Sequence, residues 1–195
     1  MDADFASEDY PADTQSAVSW GAVIAGVFVT LAVAFVVQAL AAGLGWPVVS
    51  PWPGSASAQG FTPIVGSWMI AIQVVAAGIG GYVAGRLRTR WLNLHAHEAH
   101  FRDTAHGLLV WAVSTVLGTV LGVGLAGLAI HGAEVNTQPT VSTELAQQFA
   151  LFMAIGLLLG AFIASVAAAV GGLRRDEMHV LHWKDRPKPV GFERV

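Results

Sequence analysis

Three long stretches of the chain are apolar and free of charge: none of Asp, Glu, Lys or Arg occurs between Asp13 and Arg86, between Asp103 and Glu134, or between Glu144 and Arg174. A bilayer core of about 30 Å is crossed by about 20 apolar helical residues, so the first stretch is long enough for two crossings and the others for one each. The first is divided by Trp46-Pro47, by Pro51-Trp52-Pro53-Gly54 and by Pro63, a density of proline and glycine that stops a helix and builds turns. The pattern predicts four spans at about 17–44, 64–85, 105–130 and 148–173. None of these runs has the alternation of a membrane barrel, and in lipid the backbone must satisfy its own hydrogen bonds, so the spans are helical. The expected fold is an all-α integral membrane bundle of four transmembrane helices in a single domain, with tails at 1–16 and 174–195.

Composition agrees with the pattern. Of the 195 residues 54% are hydrophobic and only 12% charged, about half the charged share of an average soluble domain. The absence of cysteine excludes disulfides, thiol catalysis and Cys-ligated metal, and the net charge of −3 argues against nucleic acid as a partner.

Charge sets an expected orientation. Arg86, Arg88, Arg90 and Arg102 fall in the loop between the second and third spans, and the other six cations fall in the C-terminal tail. The connections on the opposite side carry none, so the positive-inside rule places both termini in the cytoplasm. The first span has an acidic flank and about 28 apolar residues, which fits an anchor and not a signal peptide. Trp20, Trp91 and Trp111 lie near the expected inner boundary, and Trp46, Trp52 and Trp68 near the outer one.

Helices in lipid associate through close backbone approach, which favours small residues at four-residue spacing. Gly156, Gly160, Ala164, Ala168 and Gly172 form such a stripe on the fourth span. Ser114, Gly118, Gly122 and Ala126 do so on the third, Ala77, Gly81 and Gly85 on the second, and Ala22, Gly26, Thr30 and Ala34 on the first. Gln38 and Gln73 extend two of these stripes and are expected to face each other or a shared neighbour, as an interhelical hydrogen bond or as the lining of a polar path. Paired glycines before arginines, Gly80-Gly81 and Gly171-Gly172, together with Trp20-Gly21 and His106-Gly107, suggest two tandem helical hairpins.

The inner loop holds His95, His97, Glu98, His100, Arg102, Asp103 and His106. On one helix His97, His100 and Asp103 would share about a third of the circumference, an arrangement seen in two-His-one-carboxylate metal sites, but the crowd of arginines raises the cost of a bound cation. The favoured reading is an interfacial segment, with the arginines at anionic lipid, Asp103 capping the third helix, and His106 a solvated boundary residue. No bound cofactor is expected.

Val18-Ser19-Trp20-Gly21-Ala22, Val49-Ser50-Pro51-Trp52, Gly80-Gly81-Tyr82-Val83-Ala84-Gly85-Arg86-Leu87-Arg88 and Phe101-Arg102-Asp103-Thr104-Ala105-His106-Gly107 together resemble a group of small four-helix proteobacterial inner-membrane proteins, some of them labelled PhnA-like. The resemblance covers roughly the first two thirds of the chain. It implies a bacterial inner membrane and four helices, and it brings no activity with it. The residues offer neither the metal cage nor the phosphate-binding glycine loop that the label would suggest.

With no phosphate loop, nucleophile elbow or His-Glu-x-x-His pattern, the expectation is a non-enzymatic protein. The first choice is a structural or accessory subunit packing against other membrane subunits or against itself. A small oligomeric channel or carrier is the alternative, and a metal or redox membrane enzyme the second alternative.

Overall fold

The computed structural model of the chain describes residues 16–46, 61–89, 96–132 and 142–184, with side chains over 98–124 of the third stretch and 142–177 of the fourth. Four helices make up these segments: α1 (Trp20–Gly43), α2 (Pro63–Leu87), α3 (Ala96–Gly132) and α4 (Thr143–Lys184). Each contains a window apolar and long enough to cross a bilayer, which marks the chain as a multi-pass membrane protein.

Local chemistry fixes several helix ends. α1 closes in a Schellman turn: Gly45 adopts φ of 77°, its N–H donates to the Ala42 carbonyl at 3.0 Å, and the Trp46 N–H donates to that of Ala41 at 2.9 Å. A positive φ is where glycine is the favoured residue. α2 begins with Pro63 at its first position, behind Thr62, whose hydroxyl accepts the Val65 N–H at 3.3 Å. Ser142 caps α4 through the Leu145 N–H in the same way.

Two helices outrun the spans expected from the apolar pattern. α3 starts at Ala96 and not near residue 105, and α4 runs from Thr143 to Lys184 where 148–173 was expected. Loss of hydrophobicity marks the edge of the hydrocarbon, not the end of hydrogen bonding along a helix, so both continue past it.

α2 is central, touching all three other helices, and among the described residues α1 and α4 do not meet. The contacts between α2 and α4 are the most extensive. Ala164 and Ala168 are fully buried, and a side chain on Gly81, Gly85 or Gly107 would strike their backbones. Gly172 abuts Asp103, while Gly156 makes only ordinary contact with Ile70, at 3.5 Å. Gly118 is buried and Gly122 half-buried. On the other flank Gly26 of α1 lies against Gly80 of α2, where an added methyl on Gly26 would come within 2.7 Å of the Gly80 carbonyl. Ala22, Thr30 and Ala34 are buried on this same face of α1.

The paired glycines of the two hairpins meet different neighbours. Gly80 faces α1 and Gly81 faces α4, but Gly171 faces α2 and Gly172 faces α3. A two-fold relation between the halves would require the opposite order. At the far end of the bundle Phe61 packs edge-on against Phe149 and Phe152, at centroid distances of 5.7 and 5.5 Å, above Val65, Met69 and Met153. Trp46 and Trp68 meet edge to face at 5.0 Å.

Candidate functional site: a buried polar junction

All four helices converge where α1 begins and α2 ends. Arg88 caps the C-terminus of α2 and is only 2% exposed. Its guanidinium forks onto Asp103 of α3: Nε pairs with Oδ1, and Nη2 donates to Oδ2 at 3.0 Å. Nη2 also reaches Oδ2 of Asp176 on α4 at 3.0 Å. Planar, two-pronged pairing with a carboxylate is the geometry for which arginine is suited and lysine is not. Asp103 is buried as deeply as Arg88, whereas the Asp176 side chain is 42% exposed. The Asp103 carboxylate fits because Gly172 stands opposite; a methyl there would lie 2.7 Å from its carboxyl carbon.

His106, one turn further along α3, is 1% exposed. Its Nδ1 lies 2.6 Å from the Arg102 carbonyl, and its Nε2 accepts the Ser19 N–H at 2.8 Å. A carbonyl can only accept and a backbone N–H can only donate, so these two bonds together require a neutral ring with its proton on Nδ1. Ser19 extends the network to α2: its hydroxyl accepts the Thr89 N–H at 3.1 Å and lies 2.8 Å from the Thr89 hydroxyl. The first residues of α1 are thereby stitched to the end of α2 and to α3.

The junction corrects three sequence expectations. Asp103 does not cap α3, because the helix has already run two turns from Ala96 when it reaches Asp103; the carboxylate turns inward to Arg88 instead. His106 is buried and doubly bonded, not a solvated boundary group. Arg88 lies inside the bundle and not at lipid. Arg102 remains near the surface and pairs with Glu98 one turn earlier, at 2.8 Å, an exposed contact of small energetic weight. Arg86 is half-buried, and Arg90 falls outside the described residues. Nothing local pointed to Asp176 as a partner, since it lies 88 residues from Arg88.

The described residues of the possible metal arrangement of His97, His100 and Asp103 are not gathered on one another. Asp103 is committed to Arg88 and His100 is exposed, while the His97 side chain lies outside the described residues. No group of three metal-ligating side chains occurs among the described residues. Of the intramembrane glutamines, Gln73 is 4% exposed, with its stem beside Gly160 of α4 and near Trp111 of α3; Gln38 on α1 is half-buried.

Chemically, the junction holds. Its carboxylates neutralise a buried arginine, its imidazole anchors a backbone, and its hydroxyls join two chain ends. Comparison of the chain with protein-family models, with curated proteins and with solved structures finds no match.

Proposed function

We propose that this multi-pass membrane protein is a non-catalytic structural or accessory subunit of a larger assembly in a bacterial inner membrane. The observation that carries the reading is how the polar chemistry is spent. Arg88, Asp103, Asp176, His106 and Ser19 are engaged in polar contacts that join the four helices, while broad apolar faces point outward: Phe28, Phe35 and Leu40 on α1, Val116 and Val120 on α3, Leu158 and Phe162 on α4. Such faces suit lipid and the helices of neighbouring subunits equally. The channel or carrier reading keeps in its favour Gln73, buried midway along α2.

Extraction in a mild detergent followed by native electrophoresis and cross-linking tests the subunit reading. Migration well above the 20.4 kDa of one chain is expected, with reproducible neighbours in the cross-linked species. A lone monomer at every protein concentration would overturn it.

We further propose that both termini are cytoplasmic and that the inner face binds anionic lipid. The start of α1, the end of α2 and the polar residues of α3 and α4 meet at one end of the bundle, which supports an even number of crossings. Cysteine tags introduced near Ser57 and near Leu92 into this cysteine-free chain should respond oppositely to a membrane-impermeant thiol reagent: Ser57 from outside the cell, Leu92 only after lysis. Equal labelling would refute the arrangement.

A further inference from the structure

A second polar cluster lies deep in the span, between α2, α3 and α4 and apart from the junction. Trp111 and Thr115 stand one turn apart on α3, and the indole Nε1 and the threonine Oγ1 are both buried without a hydrogen-bond partner among the described residues. Gln73 of α2, with 4% of its surface exposed, brings its stem to the same glycine of α4 as the Trp111 indole. Gly160 of α4 forms the floor. A methyl added to it would lie 2.9 Å from Gln73 Cγ and 3.3 Å from Trp111 Nε1, so the two side chains converge on the same small region.

The unpaired hydroxyl has a local cause. A threonine in a helix commonly returns its hydroxyl to the carbonyl one turn back, which for Thr115 is that of Trp111. Ser114 already donates to this carbonyl, at 3.0 Å, and Thr119 in turn donates to the Thr115 carbonyl at 2.8 Å. The hydroxyls on either side of Thr115 are satisfied by backbone; Thr115 is not.

Depth makes the unpaired groups matter. At about 1.5 Å per residue, Gln73 lies roughly 15 Å from the start of α2, halfway through a hydrocarbon core of about 30 Å. No bulk solvent reaches that level, and an unpaired N–H or O–H there is costly. The indole can only donate, while the hydroxyl and the carboxamide can do both. A guest must therefore accept from Trp111 and be able to donate to Gln73. No charged side chain belongs to the cluster, so the guest is neutral, and the tight floor at Gly160 limits its size.

We propose that Gln73, Trp111 and Thr115 form an intramembrane binding site for a single water molecule, which bridges α2 and α3. The site is independent of whether the bundle has a partner subunit.

The full-length protein, labelled with 15N at its tryptophan indoles and held in lipid nanodiscs, allows a direct test by magnetisation transfer from water to each indole N–H. The chain has seven tryptophans, and the signal missing from Trp111→Phe assigns Trp111. Transfer to the Trp111 indole is expected in the wild type. It should be lost or sharply reduced in Thr115→Val, which keeps the side-chain shape, and in Gln73→Leu. An indole that receives no magnetisation from water, or transfer that persists unchanged in both variants, would overturn the proposal. Electrophoretic migration does not enter this readout, so its failure is distinguishable from failure of the subunit reading.

Discussion

Replacing Arg88 with methionine should destabilise the bundle by about 3–5 kcal/mol, the range seen when one partner of a buried ion pair is removed. The cause is what remains: Asp103, 2% exposed, would keep a carboxylate in the interior with neither water nor a cation beside it. Asp103→Leu should cost less, because the guanidinium keeps Asp176 as its second carboxylate partner. The double variant Arg88→Met/Asp103→Leu should recover most of the loss, since well-packed apolar side chains often replace a buried pair at little or no net cost. Asp176→Asn should cost no more than about 1 kcal/mol, because its side chain is 42% exposed and solvent already screens it. Equilibrium unfolding in mixed detergent micelles measures all four variants. An Arg88→Met protein as stable as the wild type, or a double variant no better than the worse single, would show that the pair does not carry the weight assigned to it.

Where the sequence was legible and where it was not follows from the range of each signal. The spans could be read because a charge-free run is a local property. Trp46-Pro47 and Pro63 mark a real interruption, and α1 and α2 end within a few residues of the expected limits. The start of α3 is hidden from the apolar pattern for a related reason. Hydrophobicity falls before Asp103, but Ala96–Thr104 continues as helix, which moves Asp103 from a helix start to a helix interior and changes its partner from backbone N–H groups to Arg88. Small residues every fourth position named faces without saying which neighbour each one meets. That Gly107 approaches the backbone of Ala164, or that Gly80 and the adjacent Gly81 serve different helices, depends on how α2, α3 and α4 rotate against one another. The junction was the least legible part, since Ser19, Arg88, His106 and Asp176 come from four separate segments and only depth in the membrane unites them. Arginine and aspartate at matched depth, with a glycine opposite, was the one signal that could have suggested it.

The seams that α4 makes with α2 and α3 yield the other large expected effect, because there backbone meets backbone and nothing can step aside. A methyl at Gly85 would run into the Ala168 carbonyl and lie 2.8 Å from its carbon; at Gly107 it would meet the Ala164 carbonyl and lie 2.8 Å from Ala168 Cβ. A side-chain obstacle can rotate away, but these can be relieved only by moving a helix. Gly85→Leu and Gly107→Leu should therefore each cost about 3 kcal/mol or more, the upper part of the overpacking range, and Gly85→Ala somewhat less because alanine recovers about 1 kcal/mol of helix propensity. Gly124→Ala supplies the contrast. Nothing lies within 4 Å of an added methyl there, so that change should leave stability unchanged or raise it by a few tenths of a kcal/mol to about 1 kcal/mol. Gly156→Ala, in ordinary contact with Ile70, should behave like Gly124→Ala. Thermal unfolding in detergent separates the two classes. Equal losses at Gly85 and Gly124 would mean that glycine content, not the contact between α2 and α4, governs the response, and the packing would then have to be redrawn with α4 rotated away from Gly81 and Gly85.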